Sequence, residues 1–160
     1  MNNFFYTSAS AYNQIRNLTD LIQPLFHLGA RLYLAWVFFV SGLTKIEDWE
    51  TTLWLFEEEY SVPFLNYQVA AFLGTAGELI LPVMLALGFG ARFAAVGLSI
   101  VNLVAVISLA EIAQAAYILH VLWGILLLHI VLFGAGHISI DRWVKAKVTV
   151  RVGVELDRVS

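Results

Sequence analysis

The chain has 160 residues, of which 60% are hydrophobic and only 13% are charged, and its formal net charge is −3. Soluble domains carry about 25% charged residues, so this composition excludes an ordinary soluble protein and indicates a single integral membrane domain. The sequence contains no cysteine, which excludes dithiol–disulfide chemistry and thiolate metal sites. Nucleic-acid binding has no support, because the sequence lacks a basic surface interleaved with aromatic residues.

Residues 1–25 form the predicted leader. Ile15, Leu18 and Ile22 recur at helical spacing, and Pro24 lies at or just before the start of the first span. A helix with one apolar stripe lies at a membrane surface, so we expect an amphipathic leader on the cytoplasmic side. A frayed leader without a role is the alternative.

Four apolar runs reach the roughly 20 residues that a helix needs to cross a bilayer core about 30 Å thick. They predict an all-α membrane domain over 26–143, a four-transmembrane-helix bundle with spans at about 26–44, 69–89, 93–112 and 117–133. Basic residues concentrate before the first span, in the second connection and after the fourth span. The positive-inside rule therefore places both termini in the cytoplasm.

The first outer connection, 46–68, predicts an amphipathic helix with an acidic face that ends before Pro63. This helix lies flat on the bilayer or folds over the bundle as a lid, and its aromatic stripe either anchors it at the interface or lines a ligand site. The six acidic residues are Glu47, Asp48, Glu50, Glu57, Glu58 and Glu59.

Residues 144–160 form a predicted cytoplasmic tail. From Val148 to Leu156, apolar residues alternate with polar or small ones, which is the period of a β-strand. A lone strand is not stable, so this tail pairs with a partner, with another copy or with its own chain. A disordered valine-rich tail is the alternative.

Glu78 is the central candidate for a functional site, because it lies in the middle of an apolar span. An acid at that depth costs at least ~2.5 kcal/mol on insertion scales and should face protein or water. We expect it in a polar layer with Arg31 and Asn102. The layer is either a structural lock, in which Arg31 pairs with Glu78, or a ligand-binding or proton-carrying site.

Lys45, His120 and Trp123 lie nearer the outer end and are further candidates for contact with a ligand. No metal site is predicted. His120 and His129 are nine residues apart, so their rings point to opposite sides of one helix, and a lone interior histidine is more often structural than a metal ligand. His27, at a membrane boundary like His137, is expected to take no part.

Five further residues carry structural expectations: a small residue for helix packing, helix-ending prolines, and a tight turn between the second and third spans. They are Gly42, Pro63, Pro82, Gly88 and Arg92.

One set of motifs carries a resemblance to a known family. It consists of Arg31, Glu78 and the runs FVSGLTK (39–45), YSVP (60–63), LGFGAR (87–92) and GAGHISID (134–141). In these motifs the sequence resembles the DoxX family of small bacterial inner-membrane proteins. Matches to its pattern are Arg31, Gly42, Lys45, Glu78 and Arg92.

The resemblance implies a four-helix inner-membrane protein. The family's name comes from a thiosulfate:quinone oxidoreductase, and other members are linked to membrane oxidoreductase complexes and oxidative-stress responses. Members with a similar EYSVP run and acidic connection occur with enzymes that modify secreted copper-binding peptides. The absence of cysteine argues against a thiol relay.

These observations favour a binding or accessory protein of redox, oxidative-stress or copper-stress enzymes, and not a self-sufficient catalyst, because no nucleophile–base pair or cofactor motif is recognisable. Its expected partners are the lipid bilayer, a soluble or peptide partner bound through the acidic helix or residues 144–160, and further copies of the chain. One alternative is a subunit of a quinone-linked oxidoreductase, in which Trp36, Phe38 and Trp123 contact the quinone ring. Another is a small-solute or proton channel.

Overall fold

The computed structural model describes residues 2–148, with side chains from residue 12 onward. In this part of the chain, four helices are long and apolar enough to cross a membrane, which confirms the predicted all-α, four-span architecture. The helices are α1 (Asn2–Glu47), α2 (Trp49–Glu58), α3 (Tyr67–Leu87), α4 (Ala91–Ser108) and α5 (Gln114–Phe133).

The four long helices form a closed ring, in which α1 packs on α3, α3 on α4, α4 on α5, and α5 on α1. Successive long helices are antiparallel: α2 and its loop connect α1 to α3, and short connections join α3 to α4 and α4 to α5. The centre of the ring is filled by fully buried side chains, among them Leu34, Leu85, Leu98, Leu127 and Ile130. Many large apolar side chains point outward, as expected for helices whose outer faces contact lipid.

The bundle has two different ends. At one, which we call the α2 end, α1 finishes and α3 begins, with α2 between them. At the other, which we call the turn end, Gly88 and Gly90 join α3 to α4 with φ angles of 65° and 57°. Both angles are left-handed, a conformation that glycine adopts without strain, so the predicted tight turn depends on these two residues.

α1 differs from the sequence prediction. The leader and the first span form one helix from Asn2 to Glu47, and Pro24 lies inside it. Proline removes one backbone hydrogen bond but is compatible with helical φ, and here the helix continues through it. From Tyr12 to Glu47 the helix has 36 residues, which is roughly 54 Å and longer than a bilayer core.

α2 is the amphipathic helix predicted in the first outer connection. Asp48 caps its N-terminus and accepts a hydrogen bond from the Thr51 backbone N–H at 3.0 Å. Hydrogen bonds from Thr51 lower the pKa of the Asp48 carboxyl below its usual range. The helix packs on α3 and α1, so it folds over the bundle as a lid.

The chain after α5 folds back on the turn end and becomes helical again over 140–148. Val148, the first residue of the predicted alternation, is therefore helical and not extended. A helix forms backbone hydrogen bonds within its own segment, which a lone strand cannot do. The remaining valine-rich segment, 149–160, lies outside the described residues.

Candidate functional site

The Glu78 carboxylate forms an ion pair with Lys45, which lies near the end of α1. The Lys45 Nζ lies 2.6 Å from Glu78 Oε2 and 2.9 Å from the Ser41 hydroxyl oxygen. The Glu78 side chain is only 9% exposed and that of Lys45 is 21% exposed. A short, charge-assisted hydrogen bond in apolar surroundings holds both charges, and neither can be removed without leaving the other unpaired.

Gly42 allows α1 to approach the Glu78 backbone closely, and Pro82 interrupts the hydrogen bonding of α3 at the same residue. A Cβ atom at Gly42 would lie 2.9 Å from the Leu79 side chain and 3.1 Å from the Glu78 carbonyl carbon, so only glycine fits without movement. Pro82, four residues after Glu78, has no N–H to donate to the Glu78 carbonyl. The close approach and the interrupted hydrogen bonding therefore occur at the residue that carries the charge.

α2 covers the ion pair from the α2 end. The hydroxyl of Thr52, which is buried, donates to the Lys45 carbonyl at 3.0 Å and ties α2 to α1. The tip of the Phe56 ring lies 3.7 Å from the point where a Gly74 Cβ would stand, and the Phe56 and Tyr60 rings meet edge to face at 4.9 Å. One face of the aromatic stripe thus packs on the bundle.

Tyr60 extends this cover toward the pair. Burial, followed by the charges of Glu59 and Glu78, raises the pKa of the Tyr60 phenol above its ordinary value. The segment after α2 is also tied to the end of α4, because the Ser61 backbone N–H donates to the Ser108 carbonyl at 2.8 Å. Pro63 lies in the exposed loop beyond this link.

Asn102 and His120 form a second polar cluster, on α4 and α5. The Asn102 amide donates to the His120 carbonyl at 2.9 Å, and its oxygen lies 2.8 Å from His120 Nδ1. The His120 ring meets Trp123 edge to face at 4.9 Å, and Trp123 meets Phe38 at 5.9 Å. The Trp123 indole N–H donates to the Tyr33 hydroxyl at 3.1 Å. Asn102 is therefore bonded to His120 and not to the predicted Arg31–Glu78 layer.

Arg31 does not pair with Glu78. It lies at the turn end, where its Nη2 donates to the Ile138 carbonyl at 2.5 Å and its Nη1 fills the space beside Gly88. The predicted spans centre at residues 35 and 79, whereas the structure sets Gly42 against Glu78 and Leu79. Relative to the prediction, α1 is shifted along α3 by seven residues, which is about 10 Å along the helix axis. Because of this shift, Lys45 and not Arg31 lies beside Glu78.

Asp141 is a structural residue that the sequence analysis missed. Its two carboxylate oxygens accept from the backbone N–H groups of Gly90 and Ala91 at 2.7 and 3.0 Å, so the chain after α5 caps the N-terminus of α4. The signal was available in the GAGHISID run, where an acid follows shortly after the last span. Arg92 makes a reciprocal link by donating to the Leu132 carbonyl near the end of α5 at 3.3 Å.

His27 contacts a histidine of another helix. It is only 7% exposed, and its ring lies 4.8 Å from that of His129, tilted by 34°. The spacing of histidines along one helix gave no sign of this contact, because the partners are on α1 and α5. Within 12–148, no group of three or more His, Asp or Glu residues could hold a metal ion.

The architecture and the buried charges define a multi-pass membrane protein built on a four-helix bundle. The DoxX family model matches residues 26–111, and the chain belongs to the DoxX family. It is 33% identical, over 128 residues that cover 72% of this chain and 80% of the relative, to an uncharacterized protein of Haemophilus influenzae. No solved structure matches the chain.

Proposed function

We propose that this protein binds a lipid-soluble ligand at the Lys45–Glu78 pair and serves as a membrane accessory protein to a partner enzyme. The observation that carries the proposal is the pair itself, a 2.6 Å contact between opposite charges inside an apolar bundle, beneath a separate helix. Apolar side chains of similar volume often stabilise a fold as well as a buried ion pair does. Function therefore accounts for the pair better than stability does.

The chemistry of the pair defines the ligand class. Lys45 is a donor and Glu78 is an acceptor, and the Ser41 hydroxyl lies within hydrogen-bond distance of Lys45. A molecule with a carbonyl and a hydroxyl on an apolar body can accept from Lys45 and donate to Glu78. Such a ligand enters from the bilayer and reaches the pair when α2 moves away from α3. The Lys45 side chain is 21% exposed, so the pair is not completely closed off.

The acidic surface of α2 supports a cationic partner. All six acidic side chains in 47–59 are exposed, so the surface above the pair is negatively charged. The partner class of redox, oxidative-stress or copper-stress enzymes comes from the family resemblance. Loss of a copurifying soluble partner in buffers of high ionic strength would support docking on α2, whereas its loss on deletion of 144–160 would assign docking to the tail.

Orientation in a bacterial inner membrane is part of the same proposal, with the turn end and both termini cytoplasmic. Its support is the basic turn end, with Arg92, Arg142 and Lys147, opposite the acidic α2. The chain has no cysteine, so single cysteines at Glu57 and Arg142 can be labelled cleanly in intact cells. We expect an impermeant maleimide to reach position 57 but not position 142, and the reverse result would invert the topology.

Solvent extraction of the protein purified in mild detergent tests ligand binding at the pair. We expect mass spectrometry to find an apolar, oxygen-bearing molecule with the wild type, and to find at least a tenfold reduction with Lys45→Met/Glu78→Leu. The double substitution removes both charges, so the bundle should remain folded. Equal amounts of the molecule in wild type and double variant would contradict the proposal, and Asn102→Leu serves as a control at a different polar cluster.

A subunit of a quinone-linked oxidoreductase is the second candidate, and the cluster around Trp123 favours it. The half-buried Trp123 offers a ring face backed by the buried Phe38, while Tyr33, 42% exposed at the edge of the cluster, offers a hydroxyl. Aromatic faces and hydrogen-bond donors together suit a quinone ring and its carbonyls. We expect a short-chain ubiquinone to quench tryptophan fluorescence in the wild type and less in Trp123→Leu, with Trp143→Leu as control. Equal quenching in wild type and Trp123→Leu would exclude this site.

A further inference from the structure

The turn end contains a group of buried polar nitrogens without partners. In the part of the chain with described side chains, His27 Nδ1, His129 Nε2, and Nε and Nη1 of Arg31 are buried and accept or donate no hydrogen bond. Arg31 is 1% exposed, and a guanidinium is always charged. A buried charge that lacks its hydrogen bonds is costly, so this group requires a partner that the protein itself does not supply.

The nearest acid does not supply that partner. Asp141 acts on Arg31 through its charge, but both of its oxygens accept from the backbone at Gly90 and Ala91. The ion pairs found among the described residues do not include Arg31. The single hydrogen bond of its guanidinium goes to the neutral Ile138 carbonyl. The missing partner is therefore an acceptor, and it carries negative charge.

A cavity of about 160 Å³ opens beside His27, the one member of the group that lines it; the His129 ring contacts the His27 ring, and Arg31 lies one helical turn from His27. The lining residues of the cavity are Gln23, His27, Phe133, Gly136 and His137. Gly136 has a φ of 75°, and a Cβ atom there would stand 3.0 Å from the His27 Cβ, so its bare backbone keeps this space open. One water takes about 30 Å³ of liquid volume, so the cavity has room for a group the size of phosphate.

We propose that His27, Arg31 and His129 form a binding site for a phosphate group at the turn end. Guanidinium and imidazole N–H groups are preferred donors to phosphate oxygens. A cation is disfavoured because Arg31 lies one helical turn from His27. α3 has 21 residues, enough to cross the bilayer core, so its end at Leu87 and Gly88, opposite Arg31, lies near headgroup depth. The phosphate comes from an anionic phospholipid or from the cytosol.

Thermal unfolding of the detergent-purified full chain tests this site with three probes: phosphatidylglycerol, inorganic phosphate, and diacylglycerol as a phosphate-free lipid. Binding to the folded state raises the thermal midpoint. We expect phosphatidylglycerol to raise it by several degrees and diacylglycerol to leave it unchanged. An equal rise with inorganic phosphate would identify free phosphate as the source. No rise with either phosphate compound would overturn the proposal.

Two variants and one control localise the effect. His27→Phe keeps an aromatic ring but removes its nitrogens, and Arg31→Gln keeps a polar side chain but removes the charge. Each should weaken apparent binding at least tenfold, and His27→Phe carries the test if Arg31→Gln fails to fold. Arg142→Gln removes an exposed charge at the same end and should bind normally. Equal weakening in Arg142→Gln would show general surface attraction and overturn the site. Lys45→Met/Glu78→Leu should bind phosphate normally, which separates this site from the ligand site at the other end.

Discussion

The two ends of the bundle handle buried charge in opposite ways. At the α2 end, Lys45 and Glu78 neutralise each other at 2.6 Å and a helix covers them. At the turn end, Arg31 is buried more completely, yet two of its nitrogens have no partner and the adjacent acid is engaged elsewhere. The Lys45–Glu78 pair can open and replace its mutual contact by contacts with a ligand. The unpaired Arg31 attracts an anionic ligand directly. The comparison predicts two sites with different chemistry in one small bundle.

The largest expected effect comes from breaking the satisfied pair. Glu78→Leu leaves Lys45 buried without its counter-charge and should lower the free energy of unfolding by about 3–5 kcal/mol. Glu57→Leu, at an exposed acid on α2, should change it by less than about 0.5 kcal/mol. Denaturant unfolding in detergent measures both. Similar stability of the two variants would mean that the Glu78 carboxylate is not held in a buried pair.

A milder substitution at the same residue separates stability from function. Glu78→Gln keeps a side chain that can accept from Lys45, so the fold should persist with a loss of about 1–3 kcal/mol. Ligand retention should fall at least tenfold if the carboxylate takes a proton or hydrogen bond from the ligand. A Gln variant that retains the extracted ligand as the wild type does would reduce Glu78 to a structural role.

The close approach of α1 to Glu78 can be tested by size alone. Gly42→Ala places a Cβ atom against Leu79 and the Glu78 backbone, and should destabilise by about 1–3 kcal/mol. Gly29→Ala is a matched control on the same helix, because nothing lies within 4 Å of its Cβ. The free energy of unfolding of Gly29→Ala should rise by about 0.5–1 kcal/mol, because alanine favours the helix more than glycine does. Thermal midpoints that rise for both alanines would contradict the helix register.

At the turn end, the cap on α4 provides a smaller effect. Asp141→Asn leaves one acceptor oxygen for the N–H groups of Gly90 and Ala91, and should cost about 1 kcal/mol. Arg142→Asn, at the neighbouring exposed residue, should have little effect. Thermal unfolding compares the two. An Asp141→Asn variant as stable as the wild type would show that the cap contributes nothing.

The smallest expected effect is a pH dependence at Tyr60. Burial raises the pKa of its phenol, so the folded state holds the proton above the ordinary value of about 10, where the unfolded chain releases it. The stability that this proton linkage contributes is complete below pH 10 and is lost as the pH rises through the folded pKa. Tyr60→Phe should lose less stability between pH 9 and about 11 than the wild type. Equal losses would show that Tyr60 titrates normally.

The sequence was sufficient for the fold but not for the partners of the buried charges. Apolar run lengths located four spans, and the 46–68 pattern located α2, because both depend on local periodicity. The Arg31–Glu78 pairing was wrong because axial register depends on which small residue permits close packing, here Gly42, and hydropathy does not contain this information.

Contacts between distant segments were the other limit of prediction. His27 and His129 are on α1 and α5, and Asp141 caps α4 from beyond α5, so only the closed bundle brings these residues together. The prediction at Pro24 failed for a different reason. A proline in a sequence usually indicates a helix boundary, but here it lies within α1. The predicted strand in the tail begins at Val148, which is helical in the structure. For 149–160, which lie outside the described residues, the strand stays a prediction.

A double-mutant cycle across Lys45 and Glu78, with Arg31 as the comparison, tests the central claim most directly. The pair predicts that Lys45→Met/Glu78→Leu unfolds at a higher temperature than Glu78→Leu alone, because the second substitution removes the stranded charge. Adding Arg31→Gln should shift the midpoint of Glu78→Leu by the same amount as it shifts the midpoint of the wild type, since those two sites are separate. A rise from Arg31→Gln that occurs in the Glu78→Leu background but not in the wild type, or a double variant at 45 and 78 less stable than either single one, would contradict the pairing and the ligand site that depends on it.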